Sequence, residues 1–91
     1  MKTKSVGMEA SKLIHGPRRK SYGNPRESFS KLAAVWSAVL GVTSTPEQVA
    51  LCMVGLKLIR EANRHQRDNL VDLCGYAELA NELYEYDKSE K

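Results

Sequence analysis

Residues 45–63, TPEQVALCMVGLKLIREAN, decide the fold. Thr45 can cap the first free N–H groups of a helix, Pro46 stands where a missing donor is harmless, and Gln48 sits at the position that completes a capping box. Val49, Ala50, Leu51, Cys52, Met53, Val54, Leu56, Leu58 and Ile59 then leave almost no polar face for three turns. A helix apolar all round is a buried helix, so this stretch predicts a central element covered on most sides by its neighbours. Charges return only in its last turns, with Lys57, Arg60, Glu61 and Arg64 at helical spacings of three and four.

Upstream, Asn24, Pro25 and Glu27 form a second helix start. Phe29, Leu32, Ala33, Trp36, Val39 and Leu40 recur at helical spacing until Gly41, which predicts a helix over 25–40 with one apolar face against the central helix. The apolar face makes Trp36 a core residue rather than a stacking platform. Before it, GPRRKSYGN is a basic loop, 16–24, and 1–15 reads as a helix from Ser5 onward with Met8, Leu13 and Ile14 as its apolar contacts. Downstream, a helix running unbroken from Thr45 to Tyr84 would be far longer than the ~11–12 residues of a typical one, so a turn is placed near 65–68. The last helix, 69–84, carries Leu70, Leu73, Ala77, Ala80 and Tyr84 on one stripe, and 85–91 reads as a solvated tail. The expectation is a single all-α domain, four-helix and bundle-like, with its core over 25–84.

A chain of 91 residues buries only roughly 60–65% of its unfolded surface, and the all-round apolar central helix then predicts a homo-oligomer. No apolar run approaches the ~18 residues of a membrane span, and no apolar signal core follows Lys2 and Lys4, so a cytoplasmic protein is expected. Cys52 and Cys74 sit in apolar, helix-patterned surroundings without a CxxC partner and read as buried thiols. The formal charge of +3 is unevenly spread: residues 1–31 carry a net +6 and residues 32–91 a net −3. A basic N-terminal third suggests an anionic partner, or complements the acidic remainder within an assembly.

Two features exceed the needs of folding. Asp68 and Asp72 stand four apart on one helical face, where like charges repel. They call for a cation: Lys57, Arg60 or Arg64 in an ion-pair network, or a divalent metal such as Mg²⁺. The other feature is Arg18-Arg19-Lys20-Ser21-Tyr22-Gly23-Asn24 running into a helix N-terminus, where free N–H groups and arginines suit a phosphate, and Tyr22 suits a base or ribose. It lacks the GKS or GKT ending of a Walker loop. Gly75-Tyr76 within a helix predicts close helix packing or a ligand. His15 and His65 read as surface residues, and no Ser/His/Asp or Cys/His nucleophile arrangement is present.

RRKSYGNPRESF, Trp36 and MVGLKLIREANRHQRDNLVDLCGYAEL together resemble a small bacteriophage-encoded domain family of uncharacterised function, over about residues 18–80. More distantly, the helical hairpin ending in NLVD is similar to the MazG-type all-α nucleotide pyrophosphohydrolases, which gather Glu-x-x-Glu and Glu-x-x-Asp pairs around Mg²⁺ and a nucleoside triphosphate. Here Asn69 takes a Glu place, Asp72 matches, and no Glu-x-x-Glu precedes them. The resemblance implies a phage protein in the cytoplasm of its bacterial host that binds a nucleotide without a cofactor, and possession of Mg²⁺ chemistry only if Glu61, Asp68 and Asp72 act as catalytic or metal-binding acids. The expected ligand site is Arg18, Arg19, Lys20, Tyr22, Gly23 and Asn24, joined by Lys57, Arg60, Asp68, Asn69, Asp72 and Tyr76. In a phage this suits a sponge for a host immune nucleotide signal. Nucleic-acid binding ranks last, because the carboxylates and the acidic last helix oppose a phosphate backbone.

Overall fold

Three of the four helices start at a residue whose side chain satisfies a free N–H group, and those residues set the architecture. The computed structural model describes residues 4–16, 19 and 23–89. Ser5 Oγ accepts the Met8 N–H at 3.2 Å and opens α1, Val6–His15. Asn24 Oδ1 accepts the Arg26 N–H at 2.9 Å and opens α2, Pro25–Leu40, which Gly41 ends in the left-handed region at φ 73°. Thr45 and Gln48 exchange both bonds of a capping box, 2.9 and 3.1 Å, at the start of α3, Pro46–Asn63. In the connection between α2 and α3, Ser37 Oγ donates to the Ala33 carbonyl and accepts the Ser44 N–H, each at 2.8 Å. The last helix, α4, spans Arg67–Ser89. Four helices and no strand are present among the described residues, the all-α fold expected.

The organising element is α4 rather than α3. α4 packs along α3 on one side and α1 on another, whereas α2 rests mainly on α3. Ala50 of α3 meets Ala80 and Leu83 of α4 in the core, with Phe29 of α2 against them. Val49 is fully buried beside Ala50, but Leu51, Cys52, Leu58 and Ile59 are exposed. The expected burial of 45–63 on most sides by 25–40 and 69–84 is therefore corrected: two helices cover one side of α3, and α1 spends itself on α4. Cys52 is likewise exposed and not buried, and both cysteines are free thiols. Met8 points outward, and Ala10 and Ile14 are the buried residues of α1. Trp36 is half-buried.

Gly75 admits α1. A Cβ there would lie 3.4 Å from Ile14 Cγ2 and 3.9 Å from Ala10 Cβ, so the side chains of α1 pack directly over the glycine. Ion pairs fasten the same seam: Arg67 meets Glu9 at 2.6 Å and the Lys4 carbonyl at 3.3 Å, and His15 faces Glu78 and Glu82 at 3.9 and 3.5 Å. At Glu9–Arg67 the acid is on α1 and the cation on α4, whereas Arg19 of the N-terminal third meets Glu82 of α4 at 3.0 Å. The helix also continues through 85–89, where a solvated tail was expected, because a polar sequence without Gly or Pro does not by itself stop a helix.

Candidate functional site

The turn between α3 and α4 is built on Glu61. Its carboxylate accepts the Gln66 N–H at 3.0 Å and the Asn69 side-chain amide at 3.4 Å, and pairs with His65 Nδ1. The hydrogen bond from His65, then that from the Gln66 backbone, hold its pKa below the ordinary glutamate value. Asn69 is buried and also donates to the Arg64 carbonyl at 3.4 Å. Glu61 and Asn69 thereby tie a turn in which the sequence has neither Gly nor Pro. Asp68 is exposed in the first turn of α4. One turn on, Asp72 meets Lys57 of α3 at 3.0 Å, with side chains only 17% and 13% exposed. Of the three cations that could answer this pair of aspartates, Lys57 is the one at Asp72. Arg60 and Arg64 are exposed, and Arg64 ends α3.

A cavity of about 400 Å³ opens where α1, the start of α2 and the middle of α4 converge. Ile14, Phe29 and Leu79 give it apolar walls, and Tyr76 stands edge-on to Phe29 with ring centroids 6.5 Å apart and planes at 74°. Gly75 lines it too, so the glycine that admits α1 also leaves room for the cavity. Polar groups enter from two directions. Asp72, neutralised by Lys57, lies on the α4 side. Arg19 lies on the other, its Nη2 donating to Glu82 at 3.0 Å while its Nε is buried without a hydrogen-bond partner. Gly23, at φ 78°, donates its N–H to the Arg19 carbonyl at 2.9 Å and brings the chain to the cap at Asn24. At the other end of this helix start, the Arg26 guanidinium lies 3.8 Å over the Tyr86 ring.

Arg19, Gly23, Asp72 and Tyr76 of the expected site thus line one cavity, with Lys57 behind Asp72 and Asn24 beside Gly23. Arg60, Asp68 and Asn69 do not line it. Arg18, Lys20 and Tyr22 lie outside the described residues. Ile14, Phe29 and Leu79 were not expected there; apolar wall residues carry the same periodic signal as core residues. Among the described residues, no three His, Cys, Asp or Glu side chains are placed to hold a metal ion. The acids Glu61, Asp68 and Asp72 do not form the set that Mg²⁺ would need: one ties the turn, one faces solvent and one is paired with Lys57. No helix among the described residues is long and apolar enough to cross a membrane.

Residues 6–84 match the model of a domain family of unknown function, DUF6378. The Gene 55 protein of Mycobacterium phage D29 is 37% identical over 84 residues, covering 91% of this chain and 56% of that protein. The Gene 55 protein of Mycobacterium phage L5 is 36% identical over 81 residues, covering 87% and 52%. The chain spans about half the length of the curated relatives it matches. No solved structure matches it.

Proposed function

The chain belongs to DUF6378, a phage-encoded family of small domains of unknown function, and from its site we propose that it binds a phosphorylated, nucleotide-type small molecule without turning it over. The observation that carries the reading is the cavity: about 400 Å³, within the usual range for ligand pockets, with an aromatic pair in its wall and a guanidinium carrying an unpartnered Nε beside it. Apolar and aromatic walls suit a base. Arg19 and the N-terminus of α2 suit a phosphate, and Asp72 suits a ribose hydroxyl. On this reading the domain is a MazG-like scaffold that lacks the metal acids. Its use to a phage is to sequester a host immune nucleotide signal.

Calorimetry with cyclic dinucleotides, ADP-ribose derivatives and nucleoside triphosphates, with and without Mg²⁺, tests the proposal. One of these classes should bind wild type and be recovered intact after heat denaturation. A charge-assisted hydrogen bond is worth ~1.5–3 kcal/mol, so Arg19→Ala should weaken binding about ten- to a hundredfold. Arg60→Ala, outside the cavity lining, should change it little. No binding by wild type overturns the proposal, and recovery of a cleaved nucleotide in Mg²⁺ replaces it with pyrophosphohydrolysis.

A further inference from the structure

We propose that the outer face of the α2–α3 hairpin is a self-association surface that receives the same hairpin of a second copy. Between Lys31 and Lys57 the sequence holds a single charged residue, Glu47, and this stretch contains most of both helices. A helix face turned to water ordinarily carries charges. Here the outward positions are Leu32, Val35 and Val39 on α2, spaced three and four apart, and Leu51, Leu58 and Ile59 on α3. Val39 is 77% and Ile59 71% exposed, although each belongs to a side chain type that is usually interior.

The surplus surface has the size of an interface. The accessible surface is 6680 Å², whereas a compact monomer of this mass exposes about 5,300 Å². The radius of gyration, 14.1 Å, likewise exceeds the ~12 Å expected at this length. The excess of about 1,400 Å² belongs to the whole elongated chain and not to the hairpin alone, and it leaves room for the ~800 Å² that each partner gives to a standard interface.

Charge selects the occupant. In a two-fold contact the same patch meets itself, so a charge near the axis would face its own kind. The exposed charges nearest the two stripes, Lys31 beside Leu32 and Arg60 beside Ile59, stand past those residues. An axis near Val35, Val39 and Leu51 therefore avoids that repulsion, and the patch around it has no charge pattern with which to choose an oppositely charged partner. Lys57, the cation nearest the centre of α3, is turned inward onto Asp72 and does not interrupt it. This inference is independent of what the cavity binds.

Light scattering on the full chain at micromolar concentration should give twice the 10.2 kDa chain mass, or a larger even multiple. Val39→Glu and Ile59→Glu should each shift the mass to that of one chain, with helix content by circular dichroism unchanged. Should a glutamate variant lose helix, Val39→Ser is the milder variant, and it should bring the dissociation of the assembly to at least tenfold higher protein concentration. A wild type of single-chain mass, an odd multiple, or an assembly unmoved by Val39→Ser and by the folded glutamate variants overturns the proposal.

Discussion

The seam between α1 and α4 and the outer face of the α2–α3 hairpin are of opposite character. Along the seam, small residues let the helices meet, at Gly75 against Ile14 and Ala10, and flanking ion pairs Glu9–Arg67 and Arg19–Glu82 fix their register. Along the hairpin face, large apolar side chains stand in solvent with almost no charge between them. Closeness and charge mark a contact completed within the chain; bulk without charge marks a surface whose partner lies outside it. The cavity belongs to the first region, where shape is already set by one copy.

The sharpest way to break this contrast is to truncate one side chain in each region. Leu83 is buried against Ala50 and Ala80, so Leu83→Ala should cost about 2–5 kcal/mol. Ile59→Ala should stay within about 0.5 kcal/mol at dilutions where the chain is a single copy. Urea unfolding of the two variants decides it, and equal losses would mean that the hairpin face is covered within one chain. Next in size is Lys57→Met, which removes the 3.0 Å ion pair from the largely buried Asp72 and should destabilise the chain, by less than Leu83→Ala, in the same measurement. A neutral result would show that the pair is solvated in solution.

The smallest effect is one of pH. Glu61 has its pKa held below the ordinary glutamate value of 4.5, so its hydrogen bonds add stability above that value and lose it as pH falls through the lower folded value. Wild type should therefore be more stable than Glu61→Gln at neutral pH, and the two melting temperatures should converge as pH falls below 4.5. Parallel curves would remove Glu61 from the acid response.

The helix starts were legible because a cap is a local event: Asn24-Pro25 and Thr45-Pro46-x-Gln48 satisfy N–H groups within three residues of themselves. Gly41 was legible for the same reason. The identity of the organising helix was not, because apolarity shows that Leu58 and Ile59 avoid water but not whether their cover comes from this chain. Residues 85–89 were misjudged because charge in a last turn fits both a helix end and a tail. Of the site, Arg19, Gly23, Asp72 and Tyr76 were legible by their chemistry. Phe29, Ile14 and Leu79 were not, since a wall and a core look alike in periodicity. Arg60 is exposed and does not line the cavity that Arg19 lines, a placement that spacing alone does not give.

The pairing of the first helix with the last also orders events in time. α1 rests on Gly75, Glu78 and Glu82, some sixty residues further along, whereas α3 and α4 are neighbours joined by the short Glu61 turn. At ~5–20 residues per second of synthesis, several seconds pass between the making of α1 and the making of its support. Loop closure then favours the α3–α4 hairpin, whose ends are near. Of the four helices, α1 is made first and is the last to gain a native neighbour, and the cavity, which needs Ile14 for one wall, comes into being only when it does.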